Sequence, residues 1–288
     1  MIPLFIYGSL PPLQVQLEIA ASLGALDDRI ALLRETNATL EAIAQALFKS
    51  WFVDFDPVRA KMEGRIPEGM DEATARLFPD SFEESALGLV PKGWSAAPLT
   101  AIANLVMGLS PKGDSYNANG VGMPLVNGPV EFGDYFPVKT KWTTSADRLT
   151  KQGDLIFCVR GSTTGRRVVS DGVYCIGRGV CAIRADKGHH GFLYQTINFC
   201  LDRLLSKTTG SVFPSLSSPD IKNFLVLKPS NEVTSAYEDL TSPLLQRLQE
   251  GQTQAQTLAT LRDTLLPRLI SGQLRLPEAQ AAAEKALA

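Results

Sequence analysis

The chain has 288 residues, of which 44% are hydrophobic and 20% charged, a composition that describes a folded globular protein and excludes a disordered one. No apolar run is long enough to span a bilayer and the opening residues lack a basic leader, so we expect a cytoplasmic protein with no membrane segment or signal peptide. Residues 95–230 hold 15 Lys and Arg against 9 Asp and Glu, whereas the remainder holds 13 against 21. A basic segment between acidic flanks favours one polyanion-binding domain on an acidic scaffold.

The first 55 residues predict a short remnant followed by a long helix. Residues 1–16 are apolar and interrupted by prolines, which is typical of the last strand and exit loop of a preceding domain. Over 17–55 a heptad pattern predicts the first coiled-coil helix, with a polar Asn37 that would fix the register. The seam consists of Ile19, Leu23, Leu26, Ile30, Leu33, Asn37, Leu40, Ala44, Leu47 and Trp51.

Four aromatic residues crowd the end of this helix: Phe48, Trp51, Phe52 and Phe55. Pro57 follows them and cannot continue a helix. Two interpretations stay open: a hydrophobic plug over a core, or a docking surface for a partner protein, because aromatic clusters are typical interface anchors.

The middle of the chain predicts a connector and then a globular domain. Residues 56–93 carry prolines and glycines at near-regular intervals, which indicates an irregular connector with one short helix near 71–77. Residues 94–230 mix short β-type runs, Gly-rich turns and one helical stretch, which predicts an α+β domain. The β-type runs are 155–160, 167–176, 180–185 and 224–229, and the helical stretch is 192–205.

A second helical seam follows over 231–274, with Ser230 as its N-cap, Pro243 at an early kink, Pro267 ending or bending it near Leu266, and Gly272 at its C-terminal cap. The seam consists of Tyr237, Leu240, Leu244, Leu248, Ala255, Leu258, Leu261, Leu265 and Leu269. Two helices of similar length around one globular domain predict an α+β fold with an antiparallel coiled coil, and residues 275–288 are expected to form a frayed tail.

The candidate nucleic-acid contacts lie in two polar loops of the basic domain. Small residues let a backbone approach phosphate closely, hydroxyls and amides donate to it, and arginines bridge guanine edges. An ordinary polar loop is the alternative for each. The predicted DNA-binding set is Lys112, Tyr116, Lys141, Arg160, Gly161, Ser162, Thr163, Arg166, Arg167, Lys207, Thr209, Ser211 and Ser215.

Evidence for an enzyme is weak. No phosphate-binding loop, HExxH motif or nucleophile elbow is present, and the two histidines, His189 and His190, are adjacent on a predicted loop. The four cysteines form no CxxC pair and lie among apolar residues, so we expect free thiols and no metal site. The Gly-rich stretch 176–180 lacks dinucleotide-binding spacing and predicts only a turn.

Four segments together suggest a family: 23–61 with its helix–aromatic–DPVRAK run, 69–94, the GDLIF and RGSTTG motifs of 153–165, and LRDTLLPRLISGQL at 261–274. On these segments the chain resembles the specificity (S) subunit of type I restriction–modification enzymes. The resemblance implies two target-recognition domains alternating with two helical regions that pair antiparallel, space the half-sites and dock methyltransferase subunits. On this resemblance we expect that the first recognition domain is missing and that the chain is a half-specificity protein, for which reading a split target would need a second copy or another specificity polypeptide.

The resemblance further implies a non-catalytic subunit that binds double-stranded DNA and carries no cofactor. The methyltransferase (M) subunits would bind S-adenosylmethionine, and the restriction (R) subunit would use ATP and Mg²⁺. The main alternative is a truncated interaction protein or decoy that binds only the methyltransferase. A self-contained nuclease, which would show metal-dependent turnover, is the third.

Overall fold

The computed structural model describes residues 11–208 and 214–287. The chain divides into two compact units. The helical unit comprises Met1–Ile43 and Leu244–Ala288, and the α/β unit comprises Ala44–Pro243. None of the described helices is long and apolar enough to cross a membrane.

The described chain contains helices in both units and strands only in the α/β unit. The helices are α1 (Leu13–Phe52), α2 (Asp56–Met62), α3 (Glu72–Arg76), α4 (His190–Phe199), α5 (Leu201–Leu205), α6 (Ser218–Lys222), α7 (Asn231–Ile270) and α8 (Leu276–Leu287). The strands are β1 (Phe82–Ser85), β2 (Gly88–Pro91), β3 (Ser95–Pro98), β4 (Ala103–Met107), β5 (Tyr116–Asn117), β6 (Met123–Val126), β7 (Trp142–Thr143), β8 (Leu155–Cys158), β9 (Arg167–Val169), β10 (Cys175–Ile176), β11 (Val180–Ala185) and β12 (Leu225–Lys228).

In the helical unit, α1 and α7 pack antiparallel through the predicted apolar seams. Arg262 Nη1 donates to Asp27 Oδ1 at 2.6 Å, and further along α1 the Asn37 amide lies against Gly251. The buried side chains of this core are Ile19, Leu23, Leu26, Ile30 and Leu33 with Ala255, Leu258, Leu265 and Leu269. The predicted antiparallel coiled coil and the α+β fold class are therefore confirmed.

Four details of the helical prediction are wrong. Helix α1 begins at Leu13 rather than Leu17, and α7 continues through Pro267 to Ile270 because Leu265 and Leu269 are buried in the seam. Leu240 is exposed, and Thr241 takes the buried position beside it. The tail is not frayed: residues 276–287 form α8, whose Ala279 and Ala283 pack into the same core.

The two helix caps were predicted correctly. The Val233 amide donates to Ser230 Oγ at 3.3 Å at the start of α7. Gly272 follows the last turn with φ +70°, a left-handed conformation that glycine adopts without strain.

The α/β unit is layered around one antiparallel sheet with strand order β4–β11–β8–β9. Alternate residues of a strand face opposite sides of a sheet. Leu155 and Phe157 accordingly face the helical side with α4–α6, whereas Ile156 and Cys158 face a second sheet of order β10–β6–β7–β5. Because β8 is covered on both faces, all four of its side chains are buried.

The remaining segments depart from prediction mainly in detail. The connector contains α2, α3 and the hairpin β1–β2 rather than one short helix. The predicted run 167–176 is two strands, β9 and β10, because Ser170 Oγ donates to Gly172 O at 2.7 Å and turns the chain between them. The helical stretch predicted over 192–205 is α4 followed by α5.

The aromatic end of α1 fills a core of the α/β unit. Phe48, Trp51 and Phe52 are only 4–6% exposed and pack with Tyr237, whose hydroxyl donates to Ala44 O at 2.9 Å. This burial corrects the expectation that the three rings form an exposed docking surface. Phe55, which precedes α2 with φ +57°, is half-buried and its ring packs against Phe82 and Trp94. Partner binding at this end of α1 stays a prediction.

Candidate nucleic-acid interface

The two predicted recognition loops meet at the end of β8. Gly161 N donates to Pro214 O at 3.0 Å, and Arg160 forms an isolated antiparallel bridge with Ser215. Thr164 Oγ1 donates to Gly161 O at 2.7 Å and lies 2.9 Å from Pro214 O. The two segments enclose an open cavity of about 270 Å³ lined by Arg160, Gly161, Pro214, Ser215, Leu216 and Ser217. Segments whose contacting residues are at least 50 residues apart in sequence therefore form one surface.

The first loop is built as a tight turn on a buried strand. Gly161 and Gly165 have φ values of +87° and +96°, which other residues rarely adopt. Gly165 N donates back to Cys158 O at 2.9 Å, and the position of its missing side chain lies 3.1 Å from the Leu205 methyl groups. The loop is thus held against α5 and exposes Arg160, Ser162 and Arg166.

The arginines of this loop have different roles. Arg160 and Arg166 are exposed, as is Ser162. Arg167 Nε donates to Asn198 Oδ1, and its Nη1 donates to Gly165 O at 3.0 Å. The Arg167 guanidinium therefore ties β9 to α4, and its predicted DNA contact stays a prediction. Thr163 is half-buried, with its hydroxyl 3.6 Å from Cys158 Sγ.

The second loop is described only in part. Lys207 is exposed after α5, whereas the candidates Thr209 and Ser211 lie outside the described residues. After Ser215, Ser217 N donates to Asp220 Oδ2 at 2.8 Å in a capping box that starts α6. Hydrogen bonds from the Ser217 hydroxyl and amide lower the pKa of Asp220. This cap fixes the segment that pairs with Arg160.

The other three candidates lie in and around the second sheet. Lys112 is exposed in the loop before β5. Tyr116 donates its hydroxyl proton to Pro111 O at 3.2 Å, so its polar end already has a partner. Lys141 Nζ lies 3.6 Å from Oε1 of the buried Glu131. The described contacts do not join Tyr116 or Lys141 to the loop of Arg160.

One exposed cation at this end of the sheet was missed. Residues 176–180 were interpreted only as a turn, yet they place the exposed Arg178 beside the first loop, because Val159 N donates to Gly179 O at 2.9 Å. The available signal was an arginine between two glycines directly before a buried strand. That pattern alone does not show which loop the turn adjoins.

The two histidines do not converge on a common site. His189 Nε2 lies 3.1 Å from Ser235 Oγ, and burial lowers the pKa of His189. The His190 ring packs against Gly153: a side chain added at Gly153 would place its Cβ 2.6 Å from His190 Nδ1. No group of three metal-ligating side chains occurs within residues 11–208 and 214–287. The surface at the end of β8 offers hydrogen-bond donors and positive charge, which suits binding of a polyanion.

The known proteins that resemble this chain share one description, the specificity subunit of a type I restriction enzyme. The type I restriction enzyme MjaIX specificity subunit of Methanocaldococcus jannaschii is 25% identical over 279 residues, covering 93% of this chain and 60% of the relative. The HindI specificity subunit of Haemophilus influenzae is 24% identical over 329 residues, covering 92% and 68%. The solved S subunit of a type I restriction–modification system from M. genitalium matches with a TM-score of 0.60 at 17% identity, covering 90% and 61%. No protein-family model matches the chain.

These similarities confirm the resemblance predicted from the sequence: the curated relatives are type I restriction enzyme specificity subunits. The solved S subunit shares the fold of two long helices and an α/β unit. The chain spans about 60% of the length of the first of these relatives.

Proposed function

We propose that this chain recognises DNA sequence for a type I restriction–modification system, as a non-catalytic specificity component. The α/β unit would bind one half-site of a split target. The observation that carries this proposal is the convergence of residues 160–166 with 214–217 into one surface bearing exposed arginines. Lys and Arg contacts to phosphates would position the unit, and side chains of these loops would contact base edges in the major groove.

The partners would supply the chemistry that we do not assign to this chain. Methyltransferase subunits would bind S-adenosylmethionine and flip the target adenine out of the duplex. A restriction subunit would use ATP and Mg²⁺. We propose no cofactor for this chain itself, and a second copy would provide the other half-site.

Docking of the methyltransferase would use the outer face of a long helix rather than the buried aromatic rings. Leu32 and Ile43 of α1 are 51% and 44% exposed. Because they are 11 residues apart, about three helical turns, they lie on the same face of the helix. Exposed apolar side chains that recur on one face are typical of a protein interface.

The test is DNA selection followed by binding measurements on two variants. The purified chain, alone and with its methyltransferase subunit, is offered a library of duplexes with random cores, and a preferred sequence is expected. Arg160→Ala and Arg166→Ala should each weaken specific binding by about 1–3 kcal/mol, because each removes a guanidinium that can pair with a base edge.

Lys228→Ala is the matched control, since it removes an exposed positive charge beside Asp186 and Lys187, at the far end of β11. Unchanged affinity in both arginine variants, with thermal unfolding intact, would refute those two contacts. Binding that is salt-sensitive but independent of sequence, or no DNA binding at all, would favour the interaction protein instead.

A further inference from the structure

The turn between β10 and β11 presents a single exposed arginine between two glycines. Val180 N donates to Gly177 O at 3.1 Å and closes the turn around Arg178 and Gly179. The Arg178 side chain is exposed at the tip, directly before the fully buried start of β11. This turn belongs to neither of the two loops in which DNA contacts were predicted.

Close packing fixes the backbone of this turn. A side chain at Gly177 would lie 1.8 Å from Asn127 Oδ1, and one at Gly179 would lie 2.3 Å from Asn127 O. A side chain at Gly108 would lie 2.1 Å from Gly177 O. Gly108 and Gly179 lie against backbone oxygens, so only glycine fits at these two positions, whereas Gly177 lies against the Asn127 side chain. The base of Arg178 is therefore held rigidly.

The guanidinium is also oriented from one side. Arg178 N donates to Ser110 Oγ at 3.1 Å, and Arg178 Nε lies 3.4 Å from the same oxygen. Its two terminal nitrogens make no hydrogen bond within the described residues, so the fork that pairs with two acceptors is available. A side chain held in this way loses little conformational entropy on binding.

Arg178 lies between the Arg160 loop and the Lys112 loop, and none of these three cations is paired with an acidic side chain in the described chain. On one side, Gly179 O accepts a hydrogen bond from Val159 N, the residue before Arg160. On the other side, Leu109 N donates to Ile176 O at 2.9 Å and brings the Lys112 loop alongside. No ion pair in the described chain involves Arg160, Arg178 or Lys112, whereas Arg184 at the other end of β11 is paired with Asp154 at 2.7 Å.

We infer that Arg178 is a specificity-determining residue that pairs with the O6 and N7 atoms of a guanine in the target. The inference rests on the proposed function and adds a base contact between the Lys112 and Arg160 loops. A preorganised guanidinium fork suits two acceptors on one base edge, whereas Lys112, on a flexible stem, suits a phosphate. The turn then positions Arg178 in the groove while the lysines set the register.

The test compares Arg178→Lys with Arg178→Ala in the same random-duplex selection, with Lys228→Ala as the control. Arg178→Lys retains the charge but loses the planar fork. Both Arg178 variants should bind the wild-type target roughly 5- to 150-fold more weakly, and one guanine position should become degenerate in the selected sequence. Arg178→Lys should bind unrelated duplexes at low salt within about twofold of wild type, because its charge is kept.

The outcomes separate this inference from the proposed function. If both variants select the wild-type sequence with wild-type affinity while Arg160→Ala does not, Arg178 makes no base contact and the inference is overturned. If Arg178→Ala weakens all duplexes equally and leaves every position of the motif intact, Arg178 contacts phosphate and the inference is again overturned. If the wild-type chain selects no sequence, the proposed function fails and the inference fails with it. Thermal unfolding of each variant establishes that the fold is retained.

Discussion

At the residue scale, one buried carboxylate holds together the two strands that end at the candidate interface. The Asp154 side chain is fully buried and accepts hydrogen bonds from Arg184 Nε and Nη2, at 2.9 and 2.7 Å, and from Lys151 N at 2.8 Å. Asp154 directly precedes β8, and Arg184 lies near the end of β11. The pair therefore fixes the far end of the ladder whose near end carries Arg160 and Arg178.

We predict that Asp154→Ala lowers the free energy of unfolding by about 3 kcal/mol, because it leaves the partly buried Arg184 charge and an amide without their partner. Urea unfolding monitored by circular dichroism measures the change. The control is Asp147→Ala, an exposed aspartate of the same unit, which should change stability by at most about 0.5 kcal/mol. A loss below about 1 kcal/mol in Asp154→Ala would show that the pair does not stabilise the ladder.

Sequence reasoning found individual site residues only where composition marked them. Arg160, Gly161 and Ser215 were proposed from small-residue loops in a basic segment, and the structure brings them together. The hydrogen bond between Arg167 and Asn198 was not predicted, because Asn198 lies 31 residues away and no local pattern reveals the pairing. Arg178 was missed for the same reason, since its position beside Val159 depends on strand pairing.

At the element scale, the apolar seam of the antiparallel coiled coil contains a polar residue, Asn37, which lies against Gly251. Gly251 lies in the middle of α7, where glycine weakens a helix by about 1 kcal/mol relative to alanine. An added side chain there would lie 2.5 Å from Asn37 Oδ1, and Asn37 Nδ2 is buried with no hydrogen-bond partner among the described residues. The glycine makes room for the asparagine, which sets the register at a cost in stability.

We predict that Gly251→Ala alone brings little gain, because the new methyl group must displace the Asn37 amide. The double variant Asn37→Ala with Gly251→Ala should be more stable than wild type by about 1 kcal/mol, since the helix gains propensity and the clash is gone. Thermal unfolding of wild type, the two single variants and the double variant gives the free energies of unfolding for a double-mutant cycle. Additive changes in the free energy of unfolding would show that the two residues do not interact.

Long periodic elements were predictable, whereas short and small-residue elements were not. The α1 seam follows a strict heptad, so Ile19 to Leu33 were placed correctly. Helix α8 was missed because Ala279 and Ala283 give a weak apolar signal, and their burial depends on a groove formed by two distant segments. The aromatic end of α1 allowed two interpretations, and only the packing against Tyr237 decides that the rings fill a core.

At the scale of the whole molecule, the two helical seams pair with each other within one chain, and α8 covers part of the same core. A second copy therefore need not exchange helices with the first. The described chain contains one α/β unit and thus one set of interface loops. Because closed dimers of identical chains are generally two-fold symmetric, two copies would present these loops in inverted orientation.

We predict that this chain, expressed as the only specificity polypeptide with its methyltransferase subunit, directs methylation to split sites whose two arms are inverted repeats. Two identical recognition surfaces related by a two-fold axis bind identical arms, as two-fold dimers do on palindromic operators. Methylation mapping across the host genome measures the motif, and light scattering measures the number of copies in the complex. A split motif with two different arms would require a second, different recognition domain and would contradict the homodimer. A complex that forms with the methyltransferase but marks no site would instead identify a decoy, since the methyltransferase contact would then exist without sequence recognition.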